Sequence, residues 1–167
     1  MNKKSTEGPV LIPRELKAFL ESGISLVVGT RDADLVPEIT RAWGLLVAKD
    51  RKSLSLCVPV ATSGKTFDNL AGNGQMTVCC TLPTSYKTVQ LKGQCLRTSD
   101  PNRADLAVVK RHREAFGRMN NRLGFPRERS EIFWRRELET SPLLLRLRFV
   151  PEQIFDQTPG PDAGSPL

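Results

Sequence analysis

The sequence predicts a mainly β protein, a six-stranded antiparallel β-barrel with flanking helices. Five short strand patterns follow one another with short connections between residues 24 and 98, and one more strand pattern closes the chain. Consecutive strands with short links favour antiparallel pairing and closure into a small barrel. The chain shows neither alternating β-α-β units nor a GxGxxG motif, which disfavours a dinucleotide-binding fold of the Rossmann type.

Length and composition indicate one domain over residues 1–167. The chain is 39% hydrophobic, too apolar for a disordered protein. Within the domain we expect a flexible N-terminus over 1–12, a basic helical insert over 100–140 and a Pro- and Gly-rich tail over 152–167. No run approaches the roughly 18 apolar residues of a membrane helix, and the N-terminus lacks the apolar core of a secretory signal. We therefore expect a cytoplasmic protein with no membrane partner.

The first elements are a helix and two strands. PRELKAFLES, beginning at Pro13, predicts a short amphipathic helix. ISLVVGTRD is a strand pattern, and the polar turn Asp32–Asp34 follows it. VPEITRAWGLLVA predicts one long strand with a bulge at Gly44.

The period of the sequence changes after the third strand, SLSLCV. TSGKTFDNLAGNG predicts a short helix entered from a loop, with Phe67, Leu70 and Ala71 facing inward and the Gly72–Gly74 stretch as its end. QMTVCCTL and KTVQLKGQCLRT are the fourth and fifth strands.

The last third is helical before the closing strand. Asp100-Pro101 predicts a helix start, and the helix is expected to reach about Phe116. EIFWRREL predicts a further helical turn, and LLLRLRFV is the sixth strand. Beyond Pro151 the tail is expected to have no regular structure.

The positive charge is concentrated in one segment. The net charge is +7, and residues 103–136 hold ten basic and four acidic residues. One hypothesis is a nucleic-acid contact through this segment. A solvated helix face is the better-supported interpretation, since Phe116, Phe125, Phe133 and Trp134 have the spacing of core residues.

The cysteines and the single histidine limit the possible chemistry. The four cysteines contain no CxxC pair, and His112 is the one histidine. We therefore expect structural thiols, no metal site and no Ser-His-Asp or Cys-His nucleophile. No residue can be assigned a catalytic role from the sequence.

Three places carry candidate binding residues. In TSGKT, the hydroxyls of Ser63 and Thr66, the Lys65 ammonium and the helix N–H groups could hold a phosphate monoester, although the Walker A spacing is absent. The alternative is an ordinary helix N-cap with a solvated lysine. Arg41, within an apolar strand, needs a phosphate, a carboxylate or another chain as partner. Gln90 and Lys92 share a polar strand face that either meets solvent or lines a ligand cleft.

In this order, the segments VPEITRAWGLLV, SLSLCVPV, TSGKTFDNLAGNGQMTVCCT and YKTVQLKGQC resemble the pyridoxamine 5′-phosphate oxidase-like superfamily, the FMN-binding split β-barrels. The resemblance covers roughly residues 10–98 and the last 25 residues. It implies FMN as cofactor and a homodimer with the flavin at the interface. The cofactor-binding residues that it implies are Arg41, Val58, Ala61, Ser63, Lys65, Thr66, Gln90 and Lys92, with backbone groups acting between Val58 and Ala61.

The function implied by the resemblance is an FMN-dependent oxidoreductase acting on an undefined small molecule. Pyridoxamine phosphate oxidation itself is not expected, because Arg146-Leu147-Arg148 stands where that family's Arg-x-His pattern is sought. The alternative is a non-catalytic flavin or haem carrier, and a deazaflavin could replace FMN. The tail QTPGPDAG is expected to wrap over the site or over the partner chain.

Overall fold

A computed structural model describes residues 8–126, 128–129 and 143–167. The elements in chain order are α1 (Arg14–Leu20), β1 (Ser25–Arg31), β2 (Pro37–Arg41), β3 (Trp43–Val47), β4 (Leu54–Pro59), a 3₁₀ turn (Val60–Thr62), α2 (Gly64–Asn73), β5 (Gln75–Thr81), β6 (Thr88–Ser99), α3 (Arg103–Arg122) and β7 (Leu144–Asp156).

The strands form one curled antiparallel sheet in the order β2-β1-β5-β6-β7-β4-β3. The two edge strands, β2 and β3, are separated in sequence only by Ala42. The sheet must therefore curl until its edges approach each other, and the Ala42 N–H donates to the Leu26 carbonyl at 3.0 Å. The predicted fold class, a mainly β antiparallel barrel with helices, is confirmed.

The strand count differs from the prediction by one. VPEITRAWGLLVA forms two strands because the chain changes neighbours at Ala42: β2 pairs with β1, and β3 pairs with β4. The predicted bulge is confirmed, since Gly44 has φ +67° and the β3–β4 register shifts between Trp43 and Leu46. A Cβ at Gly44 would lie within 2.9 Å of the Val109 backbone, so the missing side chain lets α3 lie close to β3.

Among the described residues, two apolar clusters hold the fold together. The barrel interior contains the inward residues of the strands, including Leu26, Leu56 and Phe149, with Ile12 and Leu20 among them. The second cluster packs α3 on the outside of the sheet and consists of Trp43, Cys57, Val109, Phe116 and Leu144.

The helix α2 begins and ends as predicted, and Gly74 at φ +68° terminates it. Phe67 and Leu70 pack on the core, but the inward placement of Ala71 is wrong, because Ala71 is exposed. Asn69 is buried instead, and its Nδ2 donates to Thr30 Oγ1 at 3.1 Å.

The helix α3 starts later and runs further than predicted. Its cap is Asn102, not Asp100: the Asn102 side chain accepts from the Asp105 N–H while the Asp105 carboxylate accepts from the Asn102 N–H. This capping box fixes the start, and the helix continues past Phe116 to Arg122. The helical turn predicted for EIFWRREL lies outside the described residues.

The expectation of irregular structure beyond Pro151 is wrong for residues 151–156, because β7 continues to Asp156. Pro151 lies opposite Gly93 at a register shift, where the ladder is already interrupted. The tail then folds back on β7: the Leu167 N–H donates to the Ile154 carbonyl at 2.9 Å, and Pro166 bridges to Phe155.

Candidate functional site

The end of β4 leads directly into the predicted phosphate segment. The 3₁₀ turn follows the strand, and Ser63 occupies the N-cap position of α2 without a side-chain capping hydrogen bond. The first turn of α2 contains no acidic residue, and Lys65 is exposed there. The first N–H groups of a helix have no partner within it and lie at the positive end of its dipole. The start of α2 therefore offers donors and positive charge to an anion.

The two predicted hydroxyls are buried. Ser63 is 1% exposed, and its Oγ lies 2.8 Å from Thr40 Oγ1 on β2. Thr66 is 0% exposed, and its Oγ1 has no hydrogen-bond partner among the described residues. An unpaired buried hydroxyl is unfavourable. Thr66 therefore supplies a polar atom in the first turn of α2 that the described part of the chain leaves unused.

Polar side chains also fix the position of α2 against the sheet. Asn73 Nδ2 donates to the Arg31 carbonyl at 2.8 Å, beside the Asn69–Thr30 bond. Together with Thr40–Ser63, these bonds hold both ends of the helix on β1 and β2. The N-terminus of α2 is thus set by the barrel rather than by a flexible loop.

Val58 and Ala61 flank the turn in different environments. Val58 is buried in the barrel interior and pairs with Leu145 of β7, so its side chain is not available to a ligand. Ala61, in the 3₁₀ turn, is exposed. The structure therefore leaves backbone groups of this turn as the means by which these two positions would contact a cofactor.

Arg41 lies on the outer face of the sheet. It follows Thr40, whose side chain points toward Ser63, and successive side chains of a strand point to opposite faces. Arg41 is half-buried, and its guanidinium carbon lies 6.0 Å from the centroid of the Trp43 ring. Within one chain, Arg41 and the Ser63 hydroxyl are therefore on opposite sides of β2.

Gln90 and Lys92 share the outer face of β6, as predicted. Gln90 is half-buried, and Gln157 Nε2 donates to its Oε1 at 3.4 Å. Lys92 is exposed, and its Nζ lies 4.7 Å from the centroid of the Phe155 ring.

A single row of paired residues joins Arg41 to Gln90 across the outer face: Arg41, Val27, Cys79, Gln90 and Phe155. Neighbouring strands lie about 4.8 Å apart, so the three steps from Arg41 to Gln90 span about 14 Å. The structure thus groups the candidates in two sets. Residues 58–66 form one set at the start of α2, and Arg41, Gln90 and Lys92 form another on the outer face.

Gln157 is a polar residue of this face that sequence reasoning did not identify. It follows β7 and reaches Gln90 because β6 and β7 are antiparallel neighbours. The Gln157 N–H also donates to the Thr88 carbonyl at 2.8 Å. Gln157 lies beyond the last strand pattern, which ends at Val150, so no local sequence signal placed it beside Gln90.

The buried thiols and the imidazole are chemically quiet. Burial raises the pKa of Cys57 to about 12, with the Asp105 carboxylate adding to the rise, and burial raises the pKa of Cys80. Burial lowers the pKa of His112 to about 4, and its Nε2 lies 2.9 Å from the Ile24 carbonyl oxygen. Neither thiol is poised as a nucleophile, and the imidazole is held neutral.

In the described part of the basic segment, α3 buries Val109 and Phe116 against Trp43 and exposes Lys110, Arg111, Arg118 and Arg122. Among the described residues, no helix is long and apolar enough to cross a membrane. Residues 8–126, 128–129 and 143–167 contain no cluster of three or more His, Cys, Asp or Glu side chains that could hold a metal ion.

Comparison with known proteins bears on the fold. No family model and no curated protein matches the chain. Solved structures do match: HupZ of Group A Streptococcus is 19% identical with a TM-score of 0.52, over 92% of this chain and 99% of that chain. An F420 reductase is 13% identical with a TM-score of 0.53, over 86% and 98%. The chain shares its split β-barrel fold with these structures.

A candidate pyridoxamine 5′-phosphate oxidase of Lactobacillus delbrueckii shares this split barrel. It is 12% identical with a TM-score of 0.52, over 87% of this chain and 95% of that chain. Identities this low establish shared architecture, and the chemistry of a split barrel is decided by its own site residues.

Proposed function

We propose that this split barrel binds FMN, with the flavin phosphate at the start of α2, and that it acts as a flavin-dependent oxidoreductase on a small molecule. The observation that carries the proposal is the helix start itself. It lacks a side-chain cap and an acidic first turn, and it exposes the Lys65 ammonium there. The F420 reductase with the same fold is consistent with redox chemistry on a flavin-like ring.

The residues present fit a phosphate monoester. The N–H groups of the first turn and the exposed Lys65 ammonium would neutralise its charge, and the hydroxyls of Ser63 and Thr66 lie buried beneath the same turn. Gly64 leaves space in front of the helix, since a Cβ there would meet no atom within 4 Å. Nothing on the first turn of α2 repels an anion.

The outer face supports a homodimer as part of the same proposal. Ile39 is 69% exposed beside Arg41, and Val27, Cys79 and Phe155 are only half-buried there. In a homodimer, Gln90 and Gln157 of one copy would face the helix start of the other, supplying the amide groups that one chain keeps away from its own phosphate segment. Packing a second copy here would also exclude water from the flavin ring.

When bound, FMN supplies the electron transfer. The residues of this chain bind and orient it: α2 and Lys65 hold the phosphate, the 58–61 turn offers backbone groups to the ring edge, and Gln90 offers an amide to a ring heteroatom. The hydrogen bond between Gln157 and Gln90 fixes that amide in one orientation.

A non-catalytic flavin carrier is the second candidate. The neutral, buried His112 and the raised pKa of Cys57 leave neither of these groups as an acid-base residue at the site. The same observations disfavour a histidine-ligated haem, because the chain's one imidazole is 5% exposed and bound to the Ile24 carbonyl. Turnover of reduced nicotinamide cofactor with the FMN-loaded protein separates the enzyme from the carrier.

Titration of FMN into Lys65→Ala tests the binding proposal, with Lys110→Ala as the matched control on exposed α3. Loss of a charged partner of the phosphate should weaken FMN binding about tenfold or more. The control should bind FMN as the unmodified protein does. If both variants bind FMN with equal affinity, the flavin phosphate does not bind at the start of α2.

A further inference from the structure

A cleft on the outside of the barrel lies away from the candidate flavin site. It has a volume of about 230 Å³ and opens over the adjacent strands β3, β4, β7 and β6. Its polar lining consists of three arginines and three serines: Arg97, Arg146, Arg148, Ser53, Ser55 and Ser99.

Two arginines of the cleft place like charges on neighbouring strands. Arg97 of β6 and Arg148 of β7 are direct cross-strand partners, so their side chains leave the same face a few ångströms apart. Like charges placed directly opposite each other destabilise a sheet. No carboxylate among the described residues forms an ion pair with either one. An anion bound between Arg97 and Arg148 would offset their repulsion and stabilise the sheet.

Arg146 is fixed at one side of the cleft. Its Nε lies 3.2 Å from Asp105 Oδ1, and the other oxygen of Asp105 accepts from the Asn102 N–H in the capping box of α3. Cross-strand pairing places Ser99 of β6 beside Arg146 and Ser55 of β4 beside Arg148. Ser53 and Ser55 are 6% and 5% exposed and line the cleft. Hydroxyl donors therefore stand next to the guanidinium groups.

The size and donor set define a ligand class. The cleft is smaller than the roughly 300–1,000 Å³ of a pocket for a drug-sized ligand. Guanidinium and hydroxyl donors from several strands suit an anion with three or more terminal oxygens, because one carboxylate is satisfied by a single arginine fork. We infer that this cleft binds the phosphate group of a compact phosphorylated molecule.

This second anion site shares no residue with the first. Ser53 and Ser55 lie at the start of β4, whereas α2 begins beyond its end. Pro59 lies four residue steps along the strand from Ser55, a distance of about 13 Å. The inference therefore stands whether or not the start of α2 holds a flavin.

Calorimetric titration of inorganic phosphate at low ionic strength tests the inference. Arg97→Gln and Arg148→Gln should each weaken phosphate binding about tenfold. Arg111→Gln, on exposed α3, is the charge-matched control and should bind as the unmodified protein does. Lys65→Ala removes the helix-start cation and should leave binding at the cleft intact.

Two results would overturn the inference: phosphate binding that survives both arginine substitutions, or binding that Lys65→Ala abolishes completely. Succinate that binds as tightly as phosphate would overturn the phosphate assignment.

Thermal unfolding gives an independent readout on the same variants. In phosphate-free buffer, Arg148→Gln removes a repulsion and should unfold at the same temperature as the unmodified protein or higher. Saturating phosphate should raise the unfolding temperature of the Lys65→Ala protein and not that of Lys65→Ala combined with Arg148→Gln. A fall in unfolding temperature on Arg148→Gln alone would contradict the repulsion on which the site rests.

Discussion

The hydroxyls at the start of α2 differ in one respect that can be measured. Ser63 Oγ is paired with Thr40 Oγ1 at 2.8 Å, whereas Thr66 Oγ1 is buried without a partner among the described residues. A paired buried hydroxyl contributes to stability, and an unpaired one carries only its desolvation cost. Thr66, which has no partner in the described part of the chain, and Thr40, the partner of Ser63, therefore form a matched pair for substitution by valine.

Thr66→Val should raise the free energy of unfolding of the FMN-free protein by about 1 kcal/mol, because a buried unpaired oxygen is removed. Thr40→Val should lower it by about 1 kcal/mol or more, because Ser63 loses its partner. Urea unfolding of both variants measures the difference. Equal destabilisation by the two substitutions would show that Thr66 has a partner in the protein.

His112 makes stability depend on pH. The unfolded imidazole titrates near its ordinary pKa of 6.5, whereas the folded pKa is about 4. Below pH 6.5 the unfolded state takes up the proton first, so the contribution of the neutral ring is present above pH 6.5 and is lost as pH falls toward 4. The loss at pH 4 amounts to about 3 kcal/mol.

Urea unfolding between pH 7 and pH 4 measures this loss, with His112→Gln as the reference. The glutamine does not titrate. Between pH 7 and pH 4, the free energy of unfolding of the variant should therefore fall by about 3 kcal/mol less than that of the unmodified protein. Identical pH slopes for the two proteins would contradict the buried neutral imidazole.

At the scale of single elements, the β6–β7 pair depends on Gly93. A Cβ at this position would overlap the Val150 carbonyl oxygen and lie 2.9 Å from the Glu152 nitrogen. These atoms are backbone of the neighbouring strand and cannot rotate away. The register shift opposite Pro151 therefore requires glycine.

Gly93→Ala should lower the free energy of unfolding by about 3 kcal/mol, as overpacking against backbone does. Gly117→Ala is the matched control, since a Cβ there meets no atom within 4 Å and the residue lies in α3. The control should gain about 0.5–1 kcal/mol from the higher helix propensity of alanine. Thermal unfolding of both variants measures these changes. A Gly93→Ala protein as stable as the unmodified protein would contradict the close approach of β6 and β7.

The elements also show what local sequence signals can and cannot give. Alternation placed the strands, and Gly74 ended α2 as expected. The pair Asp100-Pro101 was a plausible helix start, yet the reciprocal bonds of Asn102 and Asp105 outcompete it. The sequence at Pro151 predicts an end of regular structure. The partner strand instead accommodates this proline at a register shift, and the sequence does not reveal that strand.

At the scale of the molecule, hydrophobic periodicity predicts which side chains of a strand face the core. It does not predict which strands pair with each other. The change of partner at Ala42, which divides one predicted strand into two, depends on barrel curvature. The helix that follows TSGKT was predictable because its residues are contiguous. Gln157 beside Gln90 and Arg97 opposite Arg148 were not, because residues far apart in sequence meet only through the β6–β7 pairing.

The proposed homodimer makes one prediction for the whole assembly. Ile39→Asp places a charge at the exposed apolar position of the outer face, and burying an unpaired charge is unfavourable. The variant should run as a monomer in light-scattering chromatography and bind FMN more weakly. Leu123→Asp, at an exposed position on α3, is the control and should remain a dimer. If the Ile39→Asp protein is dimeric and binds FMN with full affinity, the dimer interface does not lie on this outer face.

At the scale of the whole molecule, the proposed flavin phosphate lies at the start of α2. Fluorescence titration of the unmodified protein with FMN and with riboflavin tests it directly, because the two ligands differ only in the phosphate. We expect FMN to bind at least about a hundredfold more tightly, since the phosphate accepts several charge-assisted hydrogen bonds. Equal affinity for the two flavins, or binding of neither, would contradict it.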